Sequence, residues 1–169
     1  QNLLFADPRT VDDVRECVRA VRAESPATGG IHGVGMRRDV GYVVDVGSPA
    51  FVQALEDAVV AVMIEKASAV ESVEAMLSVK GVDMVQFGPA DYSMSIGLAG
   101  QWDHPRVQEA EAHVIKTALR LGVAPRVEID HPDQARRYLD MGVRHFCMGW
   151  DVGILFDWFK TQGAAIRAM

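Results

Sequence analysis

Residues 59–91 read VVAVMIEKASAVESVEAMLSVKGVDMVQFGPAD. Val59–Ile64 is a short apolar run, rich in β-branched residues and without polar alternation, as a strand covered on both faces requires. Ser68-Ala69-Val70-Glu71 fits a capping box, after which Val73, Met76 and Leu77 fall on one helical face. Met84–Gly88 is a second apolar run of the strand type. Strand, helix and strand in so short a span predict a βα unit of a parallel sheet.

The same rhythm extends to both sides. Asn2–Ala6, Ala124–Ile129 and His145–Gly149 read as further strands, five in all. Thr10 precedes Val11, Val14, Val18 and Val21 at helical spacing, and Ser48-Pro49 offers an N-cap followed by a first-turn proline. Helices are predicted over Pro105–Leu121, closed by Gly122, over Pro132–Met141, closed by Gly142, and from Val152 towards Met169. Ser25–Gly47 is Gly-rich and polar without a sustained period, which predicts a long excursion over the strand ends. Gln1-Asn2-Leu3-Leu4-Phe5 opens directly on a strand-like run without an initiator Met, as in a chain entered in the middle. The class is α/β. Five βα units fit an open flavodoxin-type sheet or part of an eight-stranded barrel, and periodicity does not choose between them.

The 169 residues are 49% hydrophobic and 24% charged, which suits a folded domain with one core rather than a disordered chain. A net charge of -6 without a basic run argues against nucleic acid as a partner. No apolar stretch reaches the roughly 18 residues that span a bilayer, so no membrane partner is expected. Cys17 and Cys147 lie far apart without disulfide or zinc-knuckle spacing and read as reduced packing residues of a cytoplasmic protein.

In both candidate architectures ligands gather where parallel strands end, and two strand ends are acidic. Glu65 ends one strand; Gly88-Pro89-Ala90-Asp91 ends the next. Two carboxylates in one cleft suit a hard or borderline divalent cation, Mg²⁺, Mn²⁺ or Co²⁺, with further positions left for water and substrate. The plainer reading makes Asp91 a cap for the turn at Tyr92 and pairs Glu65 with Lys66 or a neighbouring arginine. Gly88-Pro89-Ala90 favours the ligand reading, because it lets a backbone approach closely. Lys66 is the one lysine at a strand end, but directly after Glu65 it should point to the opposite face, against a Schiff-base mechanism. His32, His104, His113, His131 and His145 lack zinc-site spacing, and His104 and His131, each before a proline, read as loop or cap residues. Gly29-Gly30-Ile31-His32-Gly33-Val34-Gly35 matches neither nucleotide-binding spacing and is a weak phosphate signal.

Ile64-Glu65, Gly81-Val82-Asp83 and Phe87-Gly88-Pro89-Ala90-Asp91-Tyr92-Ser93 together resemble the HpcH/HpaI aldolase family, with its "IE" strand end and "GPADLS"-like signature. Gly30–Gly35 is similar to its "GIRGVG", with His32 where arginine is usual. Gly100–Gln108, Arg137–Gly142 and Met148-Gly149-Trp150-Asp151 resemble its "GNPxHPEVQ", "RYLELG" and "VGVD" segments. The resemblance implies a (β/α)₈ barrel of which residues 1–169 supply about the last five strands. It implies a metal-dependent class II aldolase that reversibly cleaves a 2-oxo-4-hydroxy acid to pyruvate and an aldehyde through a metal-stabilised enolate. Glu65 and Asp91 would hold the cation, and Gly88, Pro89, Ala90 and Asp91 would meet the substrate. The helix from Val152 resembles one that packs on a neighbouring subunit, which implies a homo-oligomer. The carboxylate-clamping arginine and the proton-transferring histidine of the family belong to strands that precede this chain. Tyr92, Trp102 and Trp150 are candidates for the aldehyde pocket, although large aromatics near strand ends are as often packing residues. Two rivals stand beside this reading: a citrate-lyase-β-like CoA-ester lyase, and a non-enzymatic flavodoxin-like module.

Overall fold

The computed structural model describes residues 2–36, 38, 42 and 44–169. Part of the excursion read over Ser25–Gly47, namely positions 37, 39–41 and 43, lies outside them. The chain divides into two compact units, Gln1–Pro125 and Arg126–Met169.

The first unit opens with β1 (Leu3–Phe5), α1 (Val11–Val21) and α2 (Pro49–Glu56). It continues through β2 (Val60–Ile64), α3 (Ala67–Glu71), α4 (Val73–Leu77) and β3 (Met84–Phe87). It closes with α5 (Pro89–Ser95), α6 (Pro105–Leu121) and the first residues of β4 (Ala124–Ile129). β1 pairs with β2, and β2 with β3, in parallel, with Phe5 opposite Val62 and Ile64 opposite Phe87. In the first unit the strand order is the chain order, β1-β2-β3-β4.

β2 is central because it is apolar on both faces: Val60, Val62 and Ile64 are fully buried and Ala61 nearly so. Burying each of the larger side chains stabilises the fold by about 1.5–3 kcal/mol. Val14 and Val18 of α1, Val73, Met76 and Leu77 of α4, and Val107 and Val114 of α6 complete one core with Val85 and Phe87. Thr10 forms the capping box of α1 with Asp13, Ser48 caps α2 ahead of Pro49, and Gly122 closes α6 in the left-handed conformation. The expected Ser68 box is absent. Lys66 is the N-cap residue, and at Ser72 the helix breaks into α3 and α4.

The glycine-rich stretch packs on the end of α1. Ala23 and His32 form a parallel bridge, and the Ile31 and His32 amides donate to the carbonyls of Arg19 and Arg22 at 2.9 and 3.0 Å. A Cβ on Gly30 would stand 2.0 Å from the Arg22 carbonyl oxygen, so only glycine fits. These amides cap a helix C-terminus, which is their structural role in place of phosphate binding.

The second unit holds the rest of β4, a 3₁₀ turn at Pro132–Gln134, α7 (Ala135–Met141), β5 (His145–Met148) and α8 (Asp151–Arg167). β5 pairs with β4 in parallel, Val127 opposite Phe146. The helix expected over Pro132–Met141 therefore starts as a tighter turn, capped by His131. α8 buries no residue, and Ile154, Leu155, Phe156, Trp158 and Phe159 are all exposed. Both cysteines are free. Among the described residues no helix is long and apolar enough to cross a membrane.

Candidate active site

Parallel pairing in register carries Glu65 and Gly88 past the paired ends Ile64 and Phe87 side by side, and the Gly88 amide donates to the Ile64 carbonyl at 3.0 Å. The Glu65 side chain lies over the Gly88 Cα. A Cβ there would stand 2.7 Å from both Cβ and Oε2 of Glu65 and 3.3 Å from Met63 Sδ. Gly88 has an ordinary extended φ of -105°, so the position demands glycine for space and not for conformation. Pro89 then sets the first turn of α5 and brings Asp91 back towards β2.

Three carboxylates and two cations meet at this end of the first unit. Asp7, just beyond β1, turns its backbone through a left-handed φ of 56° and donates its amide to Glu65 Oε1 at 2.7 Å. Lys66 Nζ donates to Asp91 Oδ1 at 2.5 Å and lies 3.7 Å from Asp7 Oδ1. Arg9 takes the other side of Asp7 at 2.8 Å. Glu65 is 6% exposed. Burial raises its pKa above the ordinary range, opposed by the Asp7 amide and reinforced by the negative charge of Asp91. The hydrogen bond to Asp91 holds the Lys66 ammonium above its usual pKa, and the hydrogen bond from Arg9 keeps the Asp7 carboxyl below its own.

The structure thus brings Glu65, Gly88, Pro89 and Asp91 to one strand-end cluster. Asp91 is not a helix cap; Gly88 holds that position. Tyr92 is 8% exposed and packs in the core, its ring 5.1 Å from that of Phe87. Trp102 is exposed in the first unit, and Trp150 is exposed in the second, against Gly153. Asp7 and Lys66 complete the cluster without having been among the predicted site residues; Asp7 stands just past β1 as Glu65 stands just past β2.

The donor set fits a divalent cation. Glu65 and Asp91 offer hard oxygen donors, the charge of Asp91 acts on Glu65, and a buried carboxylate with a raised pKa gains from a nearby positive charge. Among the described residues no group of three or more His, Cys, Asp or Glu side chains surrounds one point. A cation here would have two protein ligands and fill its other positions with water or substrate, as Mg²⁺ commonly does.

Parallel strands in chain order, each followed by helices, define an α/β protein of the barrel type, a fold whose ligands gather at the C-terminal ends of the strands. The chain belongs to the HpcH/HpaI aldolase/citrate lyase family, which matches residues 4–157. A 4-hydroxy-2-oxo-heptane-1,7-dioate aldolase of Shigella sonnei is 36% identical over 156 residues, 92% of this chain and 58% of that protein. A 5-keto-4-deoxy-D-glucarate aldolase of Klebsiella pneumoniae is 30% identical over 144 residues, 85% of this chain and 56% of its own length. The crystal structure of an HpcH/HpaI aldolase/citrate lyase family protein from Burkholderia cenocepacia matches with a TM-score of 0.86 at 31% identity, over 98% of this chain and 65% of that one. This chain therefore spans less than two thirds of each of these relatives, and its five parallel strands are the part of a (β/α)₈ barrel that it supplies.

Proposed function

We propose that this chain forms part of a metal-dependent aldolase that reversibly cleaves a 2-oxo-4-hydroxy acid to pyruvate and an aldehyde. Glu65 and Asp91 are the ligands of one divalent cation, Mg²⁺, Mn²⁺ or Co²⁺. The observation that carries this reading is the convergence of a buried Glu65 and Asp91 on adjacent strand ends, across a glycine that leaves room for nothing larger. Two relatives named as aldolases of oxo acids support the reaction class. When bound, a divalent cation supplies a Lewis acid for the charge that develops on the keto oxygen, worth several kcal/mol.

The chain's own groups prepare the place. The Asp7 amide fixes one Glu65 oxygen and leaves the carboxylate's other oxygen beside Gly88. Pro89 and the short α5 hold Asp91 at the same strand ends, and Gly88, Pro89, Ala90 and Asp91 form the wall that the pyruvate moiety meets. Exposed apolar residues along α8 suit packing on a neighbouring subunit and support a homo-oligomer.

The test is pyruvate release from a 2-oxo-4-hydroxy acid by the intact protein, with and without Mg²⁺, Mn²⁺ or Co²⁺. Turnover is expected to need the cation and to fall by at least about 100-fold in Glu65→Gln and in Asp91→Asn, as loss of several kcal/mol of transition-state stabilisation implies. Full turnover in a chelator, or a substrate range limited to CoA esters, would overturn the reading.

A further inference from the structure

Lys66 is the unassigned group closest to the proposed cation site. Its side chain is only 18% exposed, although lysines usually leave their ammonium in water. The ammonium donates to Asp91 Oδ1 at 2.5 Å and faces Asp7 Oδ1 at 3.7 Å, with Glu65 its neighbour in the chain. It therefore stands on one of the two carboxylates proposed to ligate the divalent ion. Asp7 is the natural second berth, being already part of the cluster and shared with Arg9.

We propose that Lys66 is a tethered counter-cation that occupies Asp91 in the metal-free protein and exchanges with the divalent ion. This rests on the assignment of Glu65 and Asp91 as ligands. A dication and an ammonium on one carboxylate repel at short range, so loading requires the ammonium to leave Asp91. The ammonium then moves towards Asp7 or into solvent on its flexible four-carbon stem. Two consequences follow. Without the divalent ion, Lys66 partly neutralises three clustered acids and keeps the site assembled. With it, the exchange lowers affinity, so the ion is held loosely and remains replaceable.

The test measures binding of Mn²⁺ alone to the intact protein by calorimetry and by the electron spin resonance of free Mn²⁺. Wild type is compared with Lys66→Met, Lys66→Arg, Glu65→Gln and Asp91→Asn, each checked for a native circular dichroism spectrum. Lys66→Met is expected to bind about tenfold more tightly, because its ligand is vacant beforehand, about 1.4 kcal/mol by the standard conversion. Lys66→Arg keeps a cation on Asp91 and is expected to stay within about threefold of wild type. Unchanged or weaker binding in Lys66→Met, while Glu65→Gln and Asp91→Asn abolish binding, overturns the exchange and leaves the site assignment standing. Binding unaffected by Glu65→Gln and Asp91→Asn overturns both.

Discussion

Two cations serve opposite ends of the same strands in the first unit, and they are held in opposite ways. Arg22, 8% exposed, lies near the start of β2 and β3. Its Nη1 donates to the carbonyls of Leu55, Glu56 and Ala58 at 2.9, 3.1 and 2.8 Å. Its Nη2 donates to the Gly81 carbonyl at 3.3 Å and to Asp83 Oδ2 at 3.4 Å, and Asp83 Oδ2 also accepts from the Val60 amide at 2.8 Å. The Lys66 ammonium, at the other end, is held by carboxylate side chains, those of Asp91 and Asp7. A guanidinium surrounded by main-chain carbonyls cannot leave without opening the chain segments that it joins. An ammonium on side-chain carboxylates can, because those partners turn at small cost. The first arrangement is a clamp, and the second is a site that can change occupant.

The largest effect that would break this contrast lies at the clamp. Arg22→Met leaves several carbonyls and Asp83 without their donor, and should destabilise the protein by about 3–5 kcal/mol in urea unfolding. A loss below about 1 kcal/mol would place the two cations in the same category. Gly88→Ala comes next. The added methyl meets the Cβ of Glu65, near the backbone, as well as the mobile Oε2. Overpacking of this kind costs about 1–3 kcal/mol, and it should weaken Mn²⁺ binding because Glu65 must move. Unaltered Mn²⁺ binding in a folded Gly88→Ala protein would show that Glu65 need not lie against Gly88.

The smallest effect concerns pH and sharpens the comparison. Burial raises the Glu65 pKa from 4.5, so without a cation the folded chain keeps its proton at pH values where the unfolded chain has released it. Stability is then fully present below the unfolded value and falls as pH rises through the folded one. Glu65→Gln carries no such proton. Unfolding midpoints measured in a chelator from about pH 4 to about pH 7 should decline for wild type relative to Glu65→Gln. Parallel curves would mean that burial imposes no such penalty on the carboxylate.

The strands were legible because a short apolar run bounded by turn residues has few other places to go, and each ended within a residue or so of its run. Thr10, Ser48 and Gly122 were legible because capping is local chemistry between residues a few positions apart. Glu65 and Asp91 were picked out because each follows a strand end, Gly88-Pro89-Ala90 stands before the second, and the family resemblance marks both. The partners of these residues were not. Asp7 meets Glu65 across 58 positions, a contact fixed by strand pairing and not by any local pattern. Lys66 does start from an extended backbone, φ -128° and ψ 151°, as alternation assumes. Alternation fixes only the direction of its Cβ, and the long stem beyond it reaches Asp91 regardless. Ser68 lost its capping role because α3 begins at Ala67, two residues earlier than a Ser68 cap requires, with the Ala67 amide met by Ser95 Oγ at 3.2 Å.

Gly30 bears on how kinship at this segment should be read. With the Arg22 carbonyl, just past the end of α1, only 2.0 Å from where a first side-chain atom would sit, the position admits a single amino acid. Were it never to vary among homologues, that constancy would record a steric limit beside Arg22 and carry no information about ligands.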